Sequence, residues 1–307
     1  MGSGSGHMSI DATTPSGKAS AGGQAALSMR WMIWPAVLFV AALIIFPFLY
    51  AIWLSLQDVS LGTTGRFAGL DNFRALFAES EFRNAFKLTF VLYGVAIVMQ
   101  LVVGTWLALV LNRVERFKNL VRTIAITPFL LPPVVVGMVA VVILDPALGV
   151  ANWVLAQMGI PPSLWLAHPT WVLVTVALLD TWQAAPFVAL IVLGGLLSLP
   201  AKVFEAAEVD GAVGWRRFVY ITLPLLAPTL LTAAILRSVD LLRFFDIIYI
   251  TTRGGPGNAS TTLNIYAYQQ AFEFTRFGYA SAAMVTLASV VFGTVLVFAK
   301  LRKHVAW

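Results

Sequence analysis

Residues 198–228 read SLPAKVFEAAEVDGAVGWRRFVYITLPLLAP, a polar interruption between two long apolar runs. Within it Val203, Phe204, Ala206, Ala207 and Val209 supply an apolar stripe, while Lys202, Glu205, Glu208 and Asp210 keep the segment out of hydrocarbon. Ser198 is suited to cap the start of a short helix, Pro200 to its first turn and Gly211 to its exit. Ala206 and Ala207 permit close backbone approach, and Glu205 is placed to accept hydrogen bonds from a neighbour or from its own chain. Such a helix either rests on lipid headgroups or seats against a partner surface.

Working outward, runs of about 20 or more largely apolar residues predict six membrane-spanning helices, at 31–56, 86–111, 124–144, 171–197, 223–249 and 279–298. With 59% hydrophobic and only 11% charged residues, the 307-residue chain cannot clothe a soluble globule in polar side chains. The expected class is all-α and polytopic. Arg113, Arg116, Lys118 and Arg122 follow the second run, Lys202, Arg216 and Arg217 the fourth, and Lys300, Arg302 and Lys303 the sixth. By the positive-inside rule those segments and both termini are cytoplasmic, so the net charge of +6 serves orientation and not nucleic-acid binding. Trp31, Trp34, Tyr50, Trp53, Trp165, Trp171, Tyr249 and Tyr279 fall near the expected span ends, where amphipathic rings suit the headgroups. Residues 1–28 read as a tag remnant, MGSGSGHM, followed by a disordered tail, and residues 29–307 as one membrane domain whose first run is a retained span.

Charged and amide side chains at bilayer depth face a bundle interior or a cavity. Arg237, Asp240, Arg243 and Asp246 alternate in sign at i, i+3 spacing, which fits either a structural charge ladder or a solute-facing strip. Asp180, Trp182 and Gln183 precede Pro186, and Asn264, Tyr266, Tyr268 and Gln269 precede the last run. A ring beside amides and carboxylates suits a polyhydroxylated ligand, because the ring covers C–H faces while the polar groups meet hydroxyls. The expected solute pathway is therefore Asp180, Trp182, Gln183, Asp240, Arg243, Asp246, Tyr266 and Gln269, with Arg237 or Arg243 suited to an anionic sugar derivative. Proline at 128, 132, 133 and 186 and the pair Gly194–Gly195 are expected to kink helices or admit close packing.

Other chemistries find little support. The absence of cysteine excludes disulfides, thiolate metal sites and a cysteine nucleophile, and His7, His168 and His304 form no metal-ligating cluster. No GxxxxGK[ST] loop occurs, so the chain is expected to be non-catalytic and to bind neither metal nor cofactor itself. A secondary transporter or channel would share the polar membrane residues but leaves the 198–228 segment without a role.

That segment carries a resemblance. Glu205-Ala206-Ala207, Asp210-Gly211-Ala212, Phe218, Ile221 and Leu223-Pro224 are similar in order and spacing to the EAA loop of ABC importer permeases. Beyond it, Pro47, Ser55, Gly69-Leu70-Asp71-Asn72-Phe73, Phe245-Asp246-Ile247-Ile248-Tyr249, Gly254-Gly255-Pro256, Phe272 and Gly278-Tyr279-Ala280 resemble the maltose-type carbohydrate permeases, of the first-permease subtype. It departs at Val141 and Val142, where that family often carries Trp. The resemblance implies the type I ABC importer permease fold, with a coupling helix near 200–212 that seats in a cytoplasmic ATPase through Glu205, Ala206, Ala207, Asp210, Gly211 and Ala212. It also implies a second homologous permease, an ATPase homodimer that binds ATP and Mg, an extracytoplasmic solute-binding protein, a sugar-like solute and a place in the bacterial inner membrane.

Overall fold

The computed structural model describes the backbone of Gly2 and residues 21–305 and the side chains of residues 33–302. The tag, the tail as far as residue 20, and the side chains of Trp31, Lys303 and His304 lie outside the described residues. The chain divides into two units at residue 50. Helix α1 (Ala21–Ser55) makes up the described part of the first and runs into the second; its portion from Ile33 is apolar and long enough to span a bilayer.

The second unit carries helices α2 (Asp71–Ala78), α3 (Ser80–Arg113), α4 (Lys118–Leu130), α5 (Pro133–Ile143), α6 (Val150–Gln157), α7 (Val172–Ser198), α8 (Ala201–Val209), α9 (Gly214–Arg217), α10 (Leu223–Leu242), α11 (Asp246–Thr251), α12 (Leu263–Tyr268) and α13 (Phe277–Val305). A two-residue antiparallel pair, Gln57↔Phe67 and Asp58↔Arg66, closes the loop before α2. The amide of Asn72 donates to the carbonyls of Ser55 and Gln57, which fixes where that loop leaves the membrane segment. Among the described residues five helical stretches are apolar and long enough to cross a membrane, or six when α4 and α5 count as one broken span.

The third expected span, 124–144, is where sequence and structure part. Instead of one helix it is two, α4 and α5, meeting at 87°. Pro133 has no N–H to donate and bars its predecessor from helical backbone, so Pro132 sits extended at φ −57°, ψ 135° and α5 starts afresh with Pro133 in its first turn. The fifth span is also interrupted: α10 ends at Leu242, and Phe245 leaves helical geometry before α11. Pro186, by contrast, lies within an unbroken α7.

Helices α3 and α7 form the spine because each turns small residues toward the other. Ala96, Gly104, Thr105 and Ala108 on α3 and Ala177, Ala184, Ala185 and Ala189 on α7 are all buried, so the backbones approach closely where lipid offers no hydrophobic drive. Leu226 and Ala233 of α10 complete this packing at one end, and Leu76, Phe82, Tyr266 and Leu287 gather α2, α3, α12 and α13 at the other. Gly195 meets Thr229 of α10 with no room for a methyl group, whereas Gly194 faces open space.

A Cβ at Gly104 would lie 2.6 Å from Val188 and 3.0 Å from the Ala185 carbonyl, whereas one at Gly94 meets nothing within 4 Å. Gly104→Val is expected to cost about 1–3 kcal/mol by overpacking, read as a lower heat-unfolding midpoint in detergent, with Gly94→Ala unchanged. Equal midpoints for the two variants would contradict the α3–α7 packing.

Candidate functional site

Two places concentrate polar chemistry: a buried cluster where α3, α7 and α10 meet, and the exposed α8 segment.

The cluster centres on Arg237, which is 6% exposed. Its Nε donates to Gln100 Oε1 at 2.8 Å, Nη2 lies 3.3 Å from Asp180 Oδ2, and Nη1 lies 3.1 Å from Asp240 Oδ2. The Gln100 amide in turn donates to Asp180 Oδ2, closing a ring of three side chains from three helices. Asp240 reaches on to Arg243 at 3.7 Å. Asp180 and Gln100 are buried, while the side chains of Asp240 and Arg243 are more than half exposed. A lone buried guanidinium costs several kcal/mol to desolvate; here every partner is charged or amide and the cluster as a whole is neutral. Nearby, Tyr93 bridges α3 to Ser238 of α10 at 2.9 Å.

The expected pathway residues therefore divide. Asp180, Asp240 and Arg243 come together in this cluster; the charge ladder holds from Arg237 to Arg243, and Asp246 opens the separate helix α11. Arg237 is bound by two carboxylates. Gln183 faces elsewhere: its amide donates to the Leu131 carbonyl at 2.7 Å, at the break between α4 and α5. Trp182, next to it in sequence, is 53% exposed. The Tyr266 hydroxyl is buried and donates to Glu79, as does that of Tyr279, and burial followed by that hydrogen bond pushes the Tyr266 phenol above its ordinary range. Gln269 donates to the Arg253 carbonyl at 3.3 Å, and Asn264 to the Arg243 carbonyl at 2.7 Å.

Sequence reasoning left out Gln100, although it is the one amide in the apolar run 86–111, and Glu79, which looked like an ordinary loop carboxylate. It named Phe245, Tyr249, Tyr268 and Phe272 separately but not that they meet as one run of rings, with centroids 4.9–5.2 Å apart.

In the second place, α8 is held by backbone chemistry. The Gly211 N–H donates to Glu208 and the Ala212 N–H to Ala207, with Gly211 at φ +72°: a Schellman stop that requires the left-handed residue glycine supplies. Ser198 is not the cap; it ends α7, donating to the Gly195 carbonyl, and Pro200 takes the cap position without a side-chain bond. Glu205, Ala206 and Asp210 are exposed, Ala212 is half-buried, and Ala207 is buried against its own chain. From Gly214 the chain runs through α9 and a π-helical turn, Phe218–Thr222, straight into α10.

An exposed short helix, stopped by its glycine, thus precedes a membrane helix that carries a buried charge cluster. Residues 100–301 match the family described as binding-protein-dependent transport system inner membrane component. The chain belongs to that family. The permease is 33% identical to the trehalose/maltose transport system permease protein MalF of Thermococcus litoralis over 273 residues, 89% of this chain and 92% of that protein. It is equally 33% identical to the sulfoquinovosyl glycerol transport system permease protein SmoG of Agrobacterium fabrum, over 82% of this chain and 83% of that one. In fold it matches a permease chain of a bacterial alginate ABC transporter, solved in complex with a periplasmic protein bound to an alginate pentasaccharide, with TM-score 0.81 and 25% identity over 92% of this chain and 96% of that chain. It is a multi-pass membrane protein.

Removing one partner from the cluster strands a buried charge. Arg237→Ala is expected to lose about 3–5 kcal/mol of stability, whereas Arg237→Met combined with Asp180→Leu recovers most of it. Thermal unfolding of the two purified variants checks this; equal loss in both would show that the pairing is not what the cluster supplies.

Proposed function

We propose that this permease is one membrane subunit of an ABC importer that passes a sugar through the bilayer, with both termini and α8 on the cytoplasmic side. The observation that carries the reading is that a helical path beginning at Gly214, one short turn past the exposed α8, runs through α10 to Asp240 and its C-cap Arg243, the half-exposed members of the buried cluster. On this reading Glu205, Ala206 and Asp210 contact a separate ATPase that binds ATP and Mg and supplies the energy, and Gly211 and Ala212 hold the helix in shape for it. An extracytoplasmic binding protein delivers the solute, and a second permease forms the other wall of the pathway.

The solute-facing residues are then the exposed ones. Asp240, Asp246 and Arg243 offer hydroxyl-binding oxygens and nitrogens, and Trp182 an indole face for sugar C–H groups. Asp180, Gln100 and Arg237 brace that surface from behind. Within the cluster two arginines balance two aspartates, and the exposed Asp246 beyond it adds a further carboxylate for the hydroxyls of a polyhydroxylated solute. Relatives named for trehalose, maltose, sulfoquinovosyl glycerol and alginate transport support the carbohydrate class.

Trp182→Ala is expected to weaken solute engagement by about 1–2 kcal/mol, lowering uptake in reconstituted vesicles while assembly and basal ATP hydrolysis stay intact. Unchanged uptake kinetics would remove Trp182 from the pathway. Glu205→Lys is expected to reduce recovery of the ATPase with the purified permease by about tenfold or more; an intact, transporting complex would overturn the role of α8.

A further inference from the structure

A cavity of about 910 Å³ lies where α3 meets the segment that follows α8. Leu101, Val102, Thr105, Trp106 and Leu109 line it along α3, and Phe204, Phe218, Leu223 and Leu230 face them. From Leu101 to Arg113 the α3 wall rises about 18 Å, close to the depth of one leaflet's hydrocarbon. Val102 and Trp106 are well exposed, so the trough has an open side.

Its chemistry changes at the α8 end. There the lining is Asn112, Arg113 and Arg217, with no carboxylate among the lining residues. Among the described residues neither arginine is in an ion pair. Trp215 stacks near Phe218 with ring centroids 5.4 Å apart and is three-quarters exposed, as an indole at the level of headgroups would be. An occupant must be apolar for one leaflet's depth and anionic where the trough reaches the two guanidiniums. A basic pocket between membrane helices fits an acidic lipid headgroup, and a planar fork-shaped guanidinium pairs with phosphate oxygens.

We propose that this trough binds one anionic phospholipid, an acyl chain lying along α3 from Leu109 to Leu101 and the phosphate held by Arg113 and Arg217. The lipid would wedge between α3 and the Gly214–Thr222 stretch, so the charge of the leaflet on the α8 side would act on the link between α8 and α10. The proposal depends on the side that carries α8 being a membrane face, but not on the ATPase contact or the sugar.

The test uses the full chain, purified with the subunits that assemble on it and reconstituted in nanodiscs with a phosphatidylglycerol carrying a photoreactive acyl chain, or with the matching phosphatidylcholine. Peptides 101–113 and 214–223 are expected to be labelled by the phosphatidylglycerol probe about tenfold more than by the phosphatidylcholine probe. R113Q/R217Q should bring the two to the same level, and Leu109→Trp, which fills the trough and leaves both arginines, should suppress labelling by either. Soluble glycerol phosphate should not compete. Equal labelling by the two lipids in the parent protein would overturn the proposal. So would labelling indifferent to R113Q/R217Q, competition by glycerol phosphate, or crosslinking of a photoreactive residue at position 106 to a second permease in place of lipid. Loss of sugar uptake or of the ATPase in these variants, with labelling as expected, would bear on the importer reading alone.

Discussion

The placement of one guanidinium constrains the rest of this fold. Arg237 is too deep to reach water and too costly to leave alone, so α3 must bring Gln100 to it, α7 must bring Asp180, and α10 must fold back its own Asp240. Those contacts fix the rotation of three helices about their axes, which small-residue packing alone does not: a face of alanines and glycines allows close approach but tolerates sliding. Gln100 has a particular part, since its amide carbonyl accepts from the arginine while its NH₂ donates to the carboxylate, so one side chain satisfies both charges. The cluster ends neutral, and its two outer members, Asp240 and Arg243, emerge more than half exposed.

Those two residues lie at the far end of the helical path that begins one short turn after α8. The Schellman stop at Gly211 and the cap at Pro200 leave α8 few internal freedoms, so it can only move as a body. From Gly214 to Arg237 the helical path rises about 35 Å by the α-helical rise, interrupted only by a π turn that widens the backbone without ending it. On the proposed coupling role, a push on α8 arrives at Arg237 by rotation or translation of one rod. Because Arg237 holds partners on two other helices, such a motion cannot be confined to α10.

Much of this was written in the sequence. The apolar runs marked the spans, and the spacing of Glu205-Ala206-Ala207 and Asp210-Gly211-Ala212 marked α8 and its glycine exit. The i, i+3 ladder from Arg237 to Arg243 formed as its spacing implied. What could not be read was which helices lie side by side. Gln100 and Asp180 are 80 residues apart and Glu79 and Tyr279 are 200 apart, and no local periodicity relates them. The prolines at 128, 132 and 133 signalled a kink, but neither its 87° size nor the break at Phe245 could be read, because a hydropathy run records how much apolar surface there is and not where its axis turns.

Gln183 shows what decides between structural and solute-facing roles. In a bilayer every backbone polar group must find a partner within the protein, and a chain that turns by 87° between α4 and α5 exposes a carbonyl that no helix can satisfy. The Leu131 carbonyl is that group, and the Gln183 amide meets it. A polar side chain in an apolar run therefore declares a need without saying whose need it is: Gln183 serves the backbone, Asp180 serves Arg237, and Tyr266 serves Glu79. Each of these is buried, and each has its hydrogen bonding spent inside the subunit. Among the expected pathway residues, the side chains the packing leaves exposed are Trp182, Asp240, Arg243 and Asp246, and on the proposed function these are the ones with hydrogen-bonding or ring surface to offer outward.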